Sequence, residues 1–267
     1  MASLNVQGPR RHVAAFVGGT LVGVLGGLVG LGGAEFRLPL LLVVFGFAAL
    51  QAVILNKAMS LVVVTAAFVF RSAAVPLVEV ASNWTTVANL LAGSLIGAWS
   101  AAGWATRWQG ATLQRVIAAL LLVVAVVLLF GHESDAKHPA LEGAWLIAAG
   151  VAAGLLIGAV ASLLGVAGGE LLIPTLVLLY GVDIKLAGSL SLAVSLPTMV
   201  AGFARYSRDR SFTVLRANRA FVLSMAAGSI FGAAIGGLCL GAVPVNVLLP
   251  GLAVILIVSA VKAWRYP

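Results

Sequence analysis

One ten-residue segment occurs twice in this chain, as GLGGAEFRLP at 30–39 and GVAGGELLIP at 165–174. The same offset of 135 residues (Gly30 to Gly165) lays Gly46 on Gly181, Ala52 on Ala187, Ser60 on Ser195, Gly93 on Gly228, Ser94 on Ser229 and Gly97 on Gly232. One half of the chain repeats the other without a net gap, so the chain reads as a duplicated molecule. Each copy sets a glutamate, Glu35 or Glu170, beside glycines in an otherwise apolar stretch. An acid among hydrocarbon demands a partner, water or a proton. The polar sites of the two halves are expected to face each other.

The rest of the sequence says what surrounds them. With 62% hydrophobic and 9% charged residues over 267 positions, the chain lacks the polar surface a soluble globule shows to water. Apolar runs recur from Val13 to Leu31 through to Val245 to Val261, most of them near the ~20 residues that cross a hydrocarbon core as a helix. Leu, Ala, Val and Gly run on without the alternation of a membrane barrel, so the spans read as helices. The runs that follow the two copies of the segment are short and carry Pro39 or Pro174 near their start, where a missing amide hydrogen costs a helix little. They read as half-length helices starting inside the membrane, with short tilted spans as the alternative. The expected fold is an all-α integral membrane protein of two homologous repeats, with about 8–10 transmembrane segments including the two half-helices. Residues 1–131 form the first repeat, 132–142 a polar linker and 143–267 the second repeat.

A net charge of +8 raises nucleic acid as a partner, but the basic residues sit at the ends of spans rather than on a soluble face. They report topology instead. Ten crossings with the N-terminus inside put every Lys and Arg except Arg37, Arg71, Lys137 and Lys185 on the cytoplasmic side, as the positive-inside rule asks. Eight crossings, with the two short segments dipping in and returning, satisfy the rule almost as well. Both counts make the two termini and the Arg205 to Arg219 stretch cytoplasmic. An odd number of spans per half gives inverted repeats, and five plus five is the arrangement expected. His132 and His138 lie in the linker with Glu133 and Asp135, a composition that reads as a solvated loop before it reads as a metal site. Cys239 is the only cysteine and reads as a small core residue. No metal or other cofactor is expected.

Glycines at 30, 32 and 33, and at 165, 168 and 169, remove side chains where the backbone passes through the membrane. They allow non-helical geometry and leave amide hydrogens free. Such a break persists in hydrocarbon only where it is buried or lines a polar cavity, and a helix that starts there turns its positive end toward an anion. Packing is the competing reading of glycine, and it suits Gly93, Gly97, Gly228 and Gly232. It does not ask for glutamate and proline at the same offset twice. Two readings stand for Glu35 and Glu170: proton coupling to a transported anion, or capping and local pairing, Glu35 for instance with Arg37 or Lys57. The next run supplies Asn56, Lys57 and Ser60, and its counterpart Ser191 and Ser195. Asn56 and Ser60 lie one turn apart, as do Ser191 and Ser195, so each helix presents a polar face able to replace the water around an oxyanion. Lys57, matched by Leu192, adds a positive charge to one half only, unless it snorkels to the interface. A single serine otherwise bonds back to its own helix.

A glycine-rich segment ending in proline, a short apolar run, the helix starts QAVILNKAMSLVVV and IKLAGSLSLAVSLPT, then GSLIGAW and GSIFGAA, resemble the sulfite exporter TauE/SafE family, also called the 4-toluene sulfonate uptake permease family. The resemblance covers nearly the whole chain. It implies a multi-pass protein of the bacterial cytoplasmic membrane that moves sulfur oxyanions or organosulfonates. The chain departs from the family pattern where Ala34 and Ala167 replace glycines and where Arg37 stands at a commonly apolar position, from which it either tunes substrate charge at the anion site or faces an aqueous vestibule. Together the residues and the resemblance point to a secondary transporter for a small anion, sulfite or a small organosulfonate, working by alternating access and open to proton coupling. An anion channel on the same repeats is the rival reading. An enzyme is not expected, because no nucleophile with a histidine partner, no HExxH and no paired aspartates lie in a span. The partners called for are the anion and the lipid bilayer, with a second copy of the chain left open and nucleic acid excluded.

Overall fold

A computed structural model describes residues 9–29, 33–71, 76–130, 141–238 and 245–265. Gly30, Gly32, Cys239 and all of the linker except residues 141–142 lie outside them. Every regular element among the described residues is helical. The elements are α1 (Pro9–Val29), α2 (Ala34–Pro39) running on as a π-helical stretch (Leu40–Val44), α3 (Ala49–Arg71), α4 (Leu77–Ser82), α5 (Trp84–Ala105), α6 (Gly110–Phe130), α7 (Gly143–Leu164), α8 (Gly169–Tyr180), α9 (Ile184–Tyr206), a 3-10 turn (Arg210–Phe212), α10 (Thr213–Ala217), α11 (Arg219–Leu238) and α12 (Val245–Arg265). A helix satisfies its own backbone, which is what an apolar surrounding requires of a spanning segment. Among the described residues, four helical stretches are long and apolar enough to cross a membrane: Ala49–Phe68, Gly143–Leu164, Leu186–Tyr206 and Arg219–Gly236. Shorter apolar helices run over Arg11–Gly26, Gly110–Val126, Gly169–Tyr180 and Ala253–Trp264.

The offset of 135 recurs in the backbone. Helices α3, α5, α6, α9, α11 and α12 begin at positions that pair at that spacing, Ala49 with Ile184, Trp84 with Arg219 and Gly110 with Val245. Left-handed glycines pair in the same way, Gly33 (φ 69°) with Gly168 (φ 82°) and Gly46 (φ 67°) with Gly181 (φ 66°). So do the hydrogen bonds that close the short helices, Phe47 N–H to the Leu41 carbonyl and Val182 N–H to the Leu176 carbonyl.

The most extensive helix contacts run between the halves rather than within them: α1 on α11, α5 on α7, α6 on α12 and α5 on α9. Small residues make two of these contacts tight. A Cβ at Gly19 or Gly23 of α1 would collide with the Met225 or Ser229 carbonyl of α11, and one at Gly228 or Gly232 with the Phe16 or Thr20 carbonyl of α1. The other contact repeats this, with Gly93 and Gly97 of α5 against Val151 and Leu155, and Gly154 and Gly158 of α7 against Leu90 and Ser94. Such close backbone approach is how helices associate where lipid removes the hydrophobic drive between them. The packing reading of Gly93, Gly97, Gly228 and Gly232 is therefore the one the structure supports.

Polarity is distributed as in a membrane protein. Large apolar side chains such as Leu156, Val200, Leu223 and Phe231 are exposed on the outside of the bundle, whereas Glu35, Arg37, Asn56, Lys57, Ser162 and Glu170 are buried within it.

Candidate functional site

The site is built where the chain stops being helical. Helix α7 ends at Gly165, whose left-handed φ of 68° lets the Gly165 and Val166 amides turn back to the Ser162 and Ala161 carbonyls, a closure that an L side chain would strain. Three residues later Gly168, again left-handed, opens α8. In the first half Gly33 opens α2 in the same conformation, with its α-carbon against the Val22 carbonyl of α1. Neither start has a side-chain cap from its N-cap residue. The short helices thus begin inside the repeated segment, earlier than Pro39 and Pro174. Each proline is the sixth residue of its helix, past the amides that a helix start leaves unpaired, so it removes a real hydrogen bond and frees the Glu35 or Glu170 carbonyl. In the first half the chain widens into the π-helical stretch directly after Pro39. At about 1.5 Å per residue, the 12 residues of α8 span about 18 Å, roughly half of a hydrocarbon core.

The two starts meet. Glu35 and Glu170 are 2% and 5% exposed. The two carboxyls lie close enough to act on each other, and Glu170 Oε1 has no hydrogen-bond partner among the described residues. Glu35 and Glu170 each stand in the first turn of a short helix, the position that both the capping and the coupling reading require of them.

Side chains of α3 and α9 bind the broken backbone. Asn56 Nδ2 donates to the Ala34 carbonyl at 3.0 Å and to the Leu164 carbonyl at 3.0 Å, tying the start of α2 to the end of α7. Those two acceptors fix its amide orientation and leave Oδ1 without a partner among the described residues. Ser195 donates to the Ala167 carbonyl at 2.7 Å, inside the second break. Ser60 accepts from Arg37 Nη1 at 3.3 Å. Ser191 is buried on the same helix as Ser195 but spends its hydroxyl on the Gly188 carbonyl of its own helix, 2.8 Å away. Lys57 does not snorkel. It is fully buried, with Nζ 3.3 Å from Ser162 Oγ and 5.9 Å from the centre of the Tyr206 ring. Tyr206 in turn donates to the Ser162 carbonyl at 3.1 Å.

Glu35, Glu170, Asn56, Ser60, Ser195, Gly33, Gly165, Gly168 and Gly169 are therefore brought into one region around the two helix starts, with Lys57 on its α7 and α9 side. Two contributors, Ser162 and Tyr206, were not assigned from the sequence, and for a third, Arg37, the sequence left two readings open. Arg37 is fully buried rather than turned toward an aqueous vestibule. Ser162 sits one turn before the second copy of the segment, which is the only signal it carries. Tyr206, at the end of α9, carries none. A further buried contact between the halves, Ser94 Oγ to Thr198 Oγ1 at 2.7 Å, joins α5 to α9.

The profile of the family described as Sulfite exporter TauE/SafE matches residues 13–263, so both helix starts and every residue of the site fall inside the match. The chain belongs to that family. The family is one of membrane sulfite exporters and permeases, and this chain is a membrane protein of that family. No match to the chain was found among curated proteins or among solved structures.

Proposed function

We propose that this chain is a secondary transporter for a small oxyanion, sulfite or a small organosulfonate, which it binds between the starts of α2 and α8 and exposes alternately to the two sides of the bacterial inner membrane. The observation that carries the reading is the meeting of two helix starts deep in the bundle, each opened by a left-handed glycine and each with a buried glutamate in its first turn. Two positive helix ends converge there, and the polar side chains around them come from α3 and α9, one from each half. Inverted repeats fit this design, because elements paired at an offset of 135 exchange partners across the halves and rocking of one against the other moves the walls while the centre stays. In this reading Glu35 and Glu170 carry the coupling: the buried pair takes up a proton as an anion arrives and releases it as the anion leaves. Both termini and the Arg205 to Arg219 stretch are placed on the cytoplasmic side.

Purified protein in liposomes tests this directly. Labelled sulfite uptake should saturate with concentration and accelerate when unlabelled sulfite is loaded inside. Flux that rises linearly with concentration and ignores internal substrate marks the channel reading instead. No flux of sulfite or of any sulfonate overturns the proposal.

A further inference from the structure

We propose that Arg37 binds the transported anion through two nitrogens of its guanidinium at once and sets the preference of this chain for oxyanions; this deepens the transport reading and rests on it. Arg37 lies on α2, two residues after Glu35, and is fully buried. Its Nη1 donates to Ser60 Oγ at 3.3 Å, which fixes the plane of the group. Nε and Nη2 have no hydrogen-bond partner among the described residues. These two nitrogens form one edge of the guanidinium, with parallel N–H bonds that take two oxygens of a single oxyanion side by side. The protein thus holds one end of the group and leaves the bidentate edge without a hydrogen-bond partner among the described residues.

Energetics argue that the edge is not idle. A buried ionic group with unmade hydrogen bonds is among the costlier features a fold carries, and truncation to an apolar residue usually relieves it. The acid close enough to act on Arg37 is Glu35, two residues before it on the same helix, and it does so through charge, since Nη1 goes to Ser60 and the other two nitrogens have no hydrogen-bond partner among the described residues. The other half shows that the fold does not need the cation: at the offset of 135 the position is Leu172, buried and apolar. An arginine retained in one half alone, anchored and unfilled, fits a ligand that comes and goes. The chemistry that fills it is an anion with two oxygens on one centre, as in sulfite or a sulfonate, which gives each N–H its own acceptor where a monatomic anion makes both share one.

Full-length parent, Arg37→Leu and Arg37→Lys, purified in detergent, test this by thermal unfolding with and without sodium sulfite or sodium methanesulfonate, and by uptake in liposomes. The parent should be stabilised by at least one oxyanion, since a ligand that binds only the folded state raises its melting temperature. Arg37→Leu should melt, without ligand, at or above the parent temperature and lose the oxyanion response. Arg37→Lys keeps a charge but offers a point donor, so its oxyanion affinity should fall by about tenfold or more. Oxyanion binding by Arg37→Leu at parental strength overturns the proposal. So does a ligand-free Arg37→Leu that melts below the parent or does not fold, because Arg37 then serves the structure. Arg37→Lys binding like the parent shows that charge suffices and overturns the two-nitrogen assignment. A parent that neither binds nor moves any oxyanion overturns the transport reading, and this inference with it.

Discussion

At the scale of single residues, the two polar faces are matched in sequence but not in work. Asn56 ties two carbonyls of the broken backbone, whereas its counterpart Ser191 bonds to its own helix. Asn56→Ala strands both carbonyls in the interior and should cost about 1–3 kcal/mol in denaturant unfolding in detergent, while Ser191→Ala should stay within about 0.5 kcal/mol of the parent. Equal losses in the two variants would show that the Asn56 contacts do not hold the break together. Glu35 and Glu170 invite a different measurement. Glutamine keeps the shape and much of the hydrogen bonding but removes the titration, so Glu35→Gln or Glu170→Gln should retain anion exchange and lose its acceleration by a pH gradient. Full gradient dependence in both variants and in the double variant would leave the acids a structural role only.

At the scale of elements, the short helices depend on where they begin. Gly33 is left-handed and faces the Val22 carbonyl, so Gly33→Ala meets both backbone strain and a collision. It should lower stability by about 1–3 kcal/mol. Gly110, the first residue of α6, has nothing within 4 Å of an added Cβ, and Gly110→Ala should fall within about 0.5 kcal/mol of the parent. Comparison of the two melting temperatures separates the demand of the break from the general cost of losing a glycine. The half-helices themselves were legible in the sequence, because glycine, glutamate and proline recur at one offset in an apolar run. Their starting points were not, since proline at a first turn and proline at a sixth residue look alike until the helix is seen to begin at Ala34 or Gly169.

At the scale of the whole molecule, the halves are interleaved: α1 lies on α11, and α7 lies on α5. Neither half buries its glycine faces alone. Residues 1–131 and 132–267 expressed separately should therefore be degraded, and co-expression should restore a folded complex that co-purifies. A stable, monodisperse single half would show that the repeats fold independently. Orientation is tested with single cysteines at Arg210 and Lys262, both exposed, in a Cys239→Ser background. Both should resist an impermeant thiol reagent in intact cells and react after permeabilisation, and labelling of either before that step reverses the topology.

The sequence by itself determined the class of molecule, because hydropathy over ~20 residues and the repeat offset are properties of composition and spacing that no tertiary contact alters. It also marked the region of the site, since glutamate among glycines in hydrocarbon is costly wherever it lies. Only the tertiary structure decided how that region is wired. Which serine reaches another helix and which folds back, whether Lys57 snorkels or is locked against Ser162, and whether Arg37 faces water or the interior all depend on the distance to residues more than 20 positions away. Those distances follow from the exchange of helices between the halves. No local pattern carries them, because the same small and hydroxylated residues that build a site also build a tight helix contact.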